Sequence, residues 1–176
     1  MEKSEIKKEK KRQSRFLKEA LLLVIKLMIF AVAGIILLTY VFGLTRNASL
    51  NMQPAFRDGD LVMYYRLDRT FTAGDVIVIR YREKTYLERV IASAGDTVDI
   101  TADGLSVNGS LLQEPYRRGE TTPFEGEVTF PLTVPEGELF VLGDDREQSV
   151  DSRMFGCVRC EDVGGKVVGL FRRRNF

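Results

Sequence analysis

Histidine is absent from all 176 residues, and this removes a large class of chemistry. Ser-His and Cys-His nucleophile systems need an imidazole with a pKa near neutral. Catalytic zinc sites draw on the same side chain. Hydrolysis by this chain would have to use Ser-Lys, carboxylate or cysteine chemistry. Cysteine is scarce too: Cys157 and Cys160 form a single Cys-Val-Arg-Cys motif. Such a pair is redox-active when a helix N-terminus lowers one thiol pKa. Here the flanks are glycine-rich and strand-like, with no βαβ pattern, and two thiols are too few for a structural zinc. The pair reads as a local disulfide or as two free thiols. No metal or other cofactor is expected.

A surplus of positive charge is missing where a nucleic-acid binder would need it. Formal net charge is +1, and residues 1–26 hold nine Lys and Arg against four Glu, a local +5 that leaves −4 for the remainder. A mildly acidic domain cannot draw on phosphate neutralisation for affinity, so no nucleic-acid partner is expected. The basic end suits anionic lipid. Charge of either sign is absent from Leu27 to Thr45 (LMIFAVAGIILLTYVFGLT), and Ala20–Ile25 extends the run past Lys26. A spanning helix needs about 20 apolar residues, whereas the apolar region of a cleaved signal peptide has about 7–15. The expected organisation is a basic tail over 1–19, a transmembrane anchor over 20–45 and a folded domain over 46–176. By the positive-inside rule the tail is cytoplasmic and the domain lies outside the cell membrane, with Tyr40 and Phe42 at the outer interface.

Helical periodicity is scarce beyond residue 50, and short β-branched or aromatic runs replace it. They cover Leu61–Tyr65, Val76–Tyr81, Tyr86–Ala94, Thr97–Thr101, Leu105–Val107, Glu127–Val134, Glu138–Leu142 and Lys166–Phe171. Turn residues separate them at Asp58-Gly59, Ala73-Gly74, Ala94-Gly95, Asn108-Gly109 and Glu136-Gly137. The fold class is therefore mainly β, antiparallel and built from hairpins. Pro115–Glu127 (PYRRGETTPFEGE) reads as a long surface loop, a kind that is often functional or mobile.

Three segments, in order, resemble type I signal peptidases of the Ser-Lys class. Asn51-Met-Gln-Pro54, followed by Asp58-Gly-Asp60, is similar to the family's Ser-Met-x-Pro and Gly-Asp. Glu88-Arg89-Val90-Ile91, followed by Gly95-Asp96, is similar to Lys-Arg-Val-Ile and Gly-Asp. Gly143-Asp144-Asp145-Arg146-Glu-Gln-Ser149-Val-Asp151-Ser152-Arg153-Met-Phe-Gly156 is similar to Gly-Asp-Asn-x-x-x-Ser-x-Asp-Ser-Arg-x-x-Gly almost throughout. The resemblance implies a signal-peptidase-type antiparallel β domain after one N-terminal transmembrane helix.

The same resemblance places Asn51 where the family has its nucleophilic serine and Glu88 where it has its general-base lysine, so no catalytic residue of the dyad is intact. If the two face each other, as the family geometry implies, the Asn51 amide can donate to the Glu88 carboxylate. Ser49 lies two residues before Asn51, about 6–7 Å along a strand. In some relatives a serine there helps the oxyanion hole, and otherwise it is a structural hydroxyl. Lys84 lies about 13 Å from Glu88 on a regular strand, beyond hydrogen-bond reach. By resemblance Gly143, Asp144, Ser149, Asp151, Ser152 and Arg153 organise the fold around the site, and the Asp145 replacement alters a turn. An extended peptide would add to the strands beside the site, with Ser49, Leu50, Met52, Pro54, Tyr86, Arg89 and Ile91 as groove candidates.

Streptococcal pilus operons carry signal-peptidase-like proteins that lack the dyad and are needed for pilin polymerisation, and the chain resembles that subgroup. The implied function is a membrane-tethered chaperone or scaffold acting on pilin subunits, a sortase or both. The alternatives are a signal peptidase with a non-standard site and a regulatory pseudoenzyme that binds preproteins.

Overall fold

The computed structural model describes residues 2–124, 126 and 128–172. It divides into two compact units, Met1–Tyr40 and Val41–Phe176. The first is helix α1, Glu2–Ile36, which continues as a π-helical segment over Leu37–Val41. Within it, Arg15–Val41 contains an 18-residue stretch with a mean hydropathy of 3.0. It is the one helix among the described residues long and apolar enough to cross a membrane. The charged tail is helical from Glu2 and continuous with this span.

The second unit is mostly antiparallel β structure. Its strands are β1 (Phe42–Arg46), β2 (Leu61–Tyr65), β3 (Val76–Tyr81), β4 (Lys84–Ser93), β5 (Thr97–Thr101), β6 (Gly104–Val107), β7 (Ser110–Leu111), β8 (Leu132–Thr133), β9 (Glu138–Leu142), β10 (Val158–Arg159) and β11 (Val163–Phe171). A one-turn helix, α2 (Ser152–Phe155), precedes β10. One sheet runs β1-β2-β11-β3-β4-β9-β10, and a smaller one runs β7-β6-β5-β8. Three apolar clusters hold them together. Ile91, Val98, Leu105, Phe140 and Leu142 bind the small sheet to the large one. Ile77, Ile79, Val90, Val141 and Val163 line one face of β3, β4, β9 and β11. Met52, Phe56, Val62, Tyr64, Val78 and Leu87 line another surface, which the loop after β1 covers.

Three expectations need correction. The anchor does not reach residue 45: β1 begins at Phe42 and pairs with β2 from Phe42↔Tyr65 to Arg46↔Leu61. Hydropathy cannot separate an apolar strand from the end of an apolar helix. Phe42 accordingly packs its ring 5.3 Å from that of Tyr65. The strand expected over Glu127–Val134 is reduced to Leu132–Thr133, because Pro131 has no N–H for a ladder; Glu127 itself is outside the described residues. The last strand starts three residues earlier than expected, at Val163. Gly164 and Gly165 lie within it. A Cβ on Gly165 would collide with the Tyr65 carbonyl, and one on Gly164 would lie 3.3 Å from the Val78 carbonyl. The β3–β4 hairpin turns on Arg82 and Glu83, with φ of 45° and 65°. Two-residue hairpins require such values, but neither residue announces them.

Candidate functional site

Three chain segments meet at the positions of interest. The first carries Asn51 after β1. The second is the middle of β4, which carries Glu88. The third runs from the end of β9 through Arg153. Asn51 and Glu88 are 1% and 0% exposed. The Asn51 amide Nδ2 donates to Glu88 Oε1 at 2.8 Å and to the Leu87 carbonyl at 2.7 Å. These two bonds fix the amide orientation and fill the space between the chain segments. Asn51 Oδ1 and Glu88 Oε2 are both buried without a partner.

The loop after β9 is tied to this pair from behind. Asp145 N–H donates to the Asn51 carbonyl at 2.7 Å. Ser149 Oγ donates to the Asp145 carbonyl at 2.6 Å and lies 3.3 Å from the Asn51 carbonyl. Asp151 caps α2 and also accepts from Gly143 N–H at 3.3 Å. Ser152 Oγ accepts from Val141 N–H at 3.0 Å, which holds the loop on β9. Gly143 sits where these strands cross. A Cβ there would collide with Ser149 Oγ and lie 2.7 Å from the Asn51 carbonyl. Gly143→Ala is therefore expected to cost on the order of 3 kcal/mol through forced backbone movement, which chemical denaturation can measure.

The electrostatics around the pair are unequal. Asp144 forms a two-point pair with Arg89, both contacts at 2.7 Å. Asp151 does the same with Arg153, both at 2.9 Å. Glu114 pairs with Arg146 at 2.5 and 3.0 Å, and Asp145 with Arg118 at 3.3 Å. Glu88 alone has no arginine partner among the described residues. Burial, followed by the neighbouring charge of Asp151, pushes its carboxyl well above the usual range, and the Asn51 bond offsets this only in part.

Neither Asn51 nor Glu88 carries a hydroxyl or an amine. Ser49 Oγ accepts from Asn51 N–H at 3.3 Å, a local structural contact that also sets a hydroxyl beside a backbone N–H. Lys84 is exposed at the far end of β4, and the β3–β4 pairing is unbroken from Lys84 to Arg89. It has no route to Glu88.

The expected peptide-groove set is broken up. Met52 and Ile91 are 0% and 3% exposed and belong to the core. Arg89 is committed to Asp144, with its guanidinium also 4.0 Å from the Tyr116 ring centre. Tyr86 pairs opposite Ile79 and packs in that core cluster. Ser49, Leu50 and Pro54 remain accessible. The alternation of β4 instead brings Thr85 to a cleft that also includes Thr45, Tyr64 and Val78.

The segment after Pro115 is not a free loop. Arg118 forms a bridge to Asp145: Arg118 N–H donates to the Asp144 carbonyl at 2.7 Å, and its carbonyl accepts from Arg146 N–H at 2.9 Å. Arg146, 1% exposed, also donates to Thr121 Oγ1 and, at 2.8 Å, to the Gly143 carbonyl. The Arg153 guanidinium lies 4.8 Å from the Phe124 ring centre. Sequence reasoning missed Glu114, Thr121 and the clamping role of Arg146. An arginine in a charged run reads as surface unless its partner is known. The Asp60–Arg172 pair, at 2.6 Å, was likewise missed, because 112 positions separate its members.

The cysteines are two free thiols. Cys157 packs on the Phe140 cluster and Cys160 on the Val141 cluster, so they face different parts of the core. Burial pushes the Cys157 thiol up to about 11 and raises that of Cys160. Both are expected to alkylate much more slowly at neutral pH than after denaturation, which a timed maleimide reaction followed by mass spectrometry will show.

Residues 17–171 match the family model described as signal peptidase, peptidase S26. A signal peptidase I of Bacillus licheniformis is 34% identical over 138 residues, spanning 72% of this chain and 74% of the relative. Another, of Bacillus caldolyticus, is 37% identical over 134 residues, 66% and 72% of the two chains. A crystal structure of a signal peptidase I from Enterococcus faecalis superposes with a TM-score of 0.48 and 33% identity, covering 56% of this chain and 97% of that one. The chain belongs to the signal peptidase family, peptidase S26.

Proposed function

We propose that this chain is a non-catalytic member of the family, acting as a membrane-tethered chaperone or scaffold in pilin polymerisation with a sortase. The basic tail lies in the cytoplasm, residues 20–41 anchor the protein, and the β domain faces outward. The hydrogen bond between Asn51 Nδ2 and Glu88 Oε1, 2.8 Å long and fully buried, carries the non-catalytic part of the reading. It supports that reading because an amide bonded to a buried carboxyl offers neither the hydroxyl nucleophile nor the amine base of Ser-Lys acyl transfer. The intact scaffold around it supports retained binding. Extended peptides add to strands by main-chain pairing, which needs no catalytic group. The pilin and sortase assignment rests on resemblance to dyad-lacking proteins of streptococcal pilus operons.

Two measurements test this. Incubation with a secretory preprotein in detergent is expected to give no cleavage above a no-protein control. The full-length protein should retain pilin subunits in preference to a free signal peptide. Cleavage that disappears in Ser49→Ala would establish the enzyme reading instead, since Ser49 is the hydroxyl nearest in sequence to Asn51 and touches its N–H. Equal retention of signal peptide would favour a preprotein-binding regulator.

A further inference from the structure

A cleft of about 430 Å³ crosses the large sheet and includes Tyr64, Val78, Thr85 and Gly164 in its lining. This is within the size range of sites that enclose small ligands or short segments. Three arginines, Arg66, Arg69 and Arg80, also line it. Arg66 donates to the Phe42 carbonyl at 3.3 Å and stacks 4.9 Å from the Tyr64 ring centre. Arg69 donates one nitrogen to the Val163 carbonyl. Arg80 is exposed and opposite Thr85 in the β3–β4 ladder, two residues from Val78 on the same face. None of the three is in an ion pair among the described residues. The lining has two acids, Glu161 and Asp162, and Glu161 is already paired with Arg159. The cleft thus presents three guanidinium groups, none in an ion pair among the described residues, against two carboxylates, one of which is paired with Arg159.

We infer that this cleft takes an extended peptide segment bearing acidic side chains. The inference rests on the peptide-binding reading above and adds the chemistry of the ligand. Guanidinium forks match carboxylates in two-point geometry, and two of the three are held in place by backbone carbonyls. Lysine, the point-charge binder of phosphate, does not line the cleft. Side chains of an extended ligand recur on one face about every 6.5 Å, the spacing that separates Val78 from Arg80.

The test uses the full-length protein in neutral detergent and three labelled peptides of one length, with Glu, Gln or Lys at alternate positions. Fluorescence anisotropy should show the Glu peptide binding at least about tenfold more tightly than the Gln peptide at low salt, with the advantage shrinking as salt rises. The advantage should shrink in R80Q, whose exposed side chain can be changed with the thermal transition unmoved, and vanish in R69Q/R80Q, whose far-ultraviolet circular dichroism should match that of the wild type. Equal binding of Glu and Gln peptides overturns the inference while leaving peptide binding itself intact. An absence of binding by all three overturns it as well, and the cleavage and pilin-retention assays stand apart from that result. Loss of phosphatidylglycerol-vesicle binding in R69Q/R80Q with no change in Glu-peptide binding assigns the arginines to anionic lipid and also overturns it.

Discussion

Glu88→Gln is expected to raise stability at neutral and alkaline pH and to flatten its dependence on pH. Glu88 is buried with Asp151 and Asp144 as negative neighbours and Arg153 as the positive one, and burial is the largest influence on it. A carboxyl whose folded pKa is raised holds its proton in the native state after the unfolded chain has lost it. The native state then binds more protons, so stability falls as pH rises from about 4.5 through the folded pKa, by up to about 1.4 kcal/mol per pH unit. The protonated form also has an O–H to offer Asn51 Oδ1, and Oδ1 and Glu88 Oε2 are the two buried side-chain atoms left without partners. Glutamine can make the same two-point contact with the Asn51 amide and carries no proton to lose. Thermal melts of both proteins across pH 4 to 9 should converge at the acid end and diverge upward. Parallel curves would mean that Glu88 is ionised throughout the range. An infrared band of a protonated carboxyl, present in the wild type and missing in the variant, gives a second readout.

Arg146→Ala is expected to cost about 3–5 kcal/mol, the effect of removing one partner from a buried pair. Its guanidinium holds both oxygens of Glu114, the Thr121 hydroxyl and the Gly143 carbonyl. Without it, Glu114 keeps a buried negative charge with no counterion, and the segment from Glu114 to Phe124 loses its main attachment. Urea denaturation checks the magnitude. Limited trypsin digestion checks the location, since cleavage at Arg117 and Arg118 should accelerate before the rest of the domain is attacked. Arg146→Met with Glu114→Gln should be milder than Arg146→Ala alone, because neither position then carries an unpaired charge.

Much of the fold is legible in the sequence, because β-branched runs and Gly-Asp turns are local signals. Strands β2, β3, β5 and β9 have the bounds expected from them. The juxtaposition of Asn51 and Glu88 was legible for a different reason: three motifs in family order imply that their loops converge. What could not be read are facts that depend on a partner far away in sequence. Arg146 is a core residue because of Glu114, and Asp60 is buried because of Arg172. Met52 and Ile91 entered the groove list because motif position says where a residue lies along a strand but not which side is covered. Phe42 joined the anchor because hydropathy carries no information about strand pairing.

The order of the large sheet has a consequence for how the domain is made. Strand β11, the last element, lies between β2 and β3. It pairs with β2 from Lys166↔Tyr65 to Phe171↔Leu61 and with β3 from Val163↔Ile79 to Lys166↔Ile77. Until it arrives, the β1–β2 hairpin has no neighbour on its inner side, and the Asn51 loop lacks the Arg172 contact that pins Asp60 and the Ala55 carbonyl. A chain that emerges N-terminus first therefore exposes an unfinished sheet until Val163–Phe171 has left the ribosome. Truncation before Val163 should leave two separate β pieces and not a shortened domain.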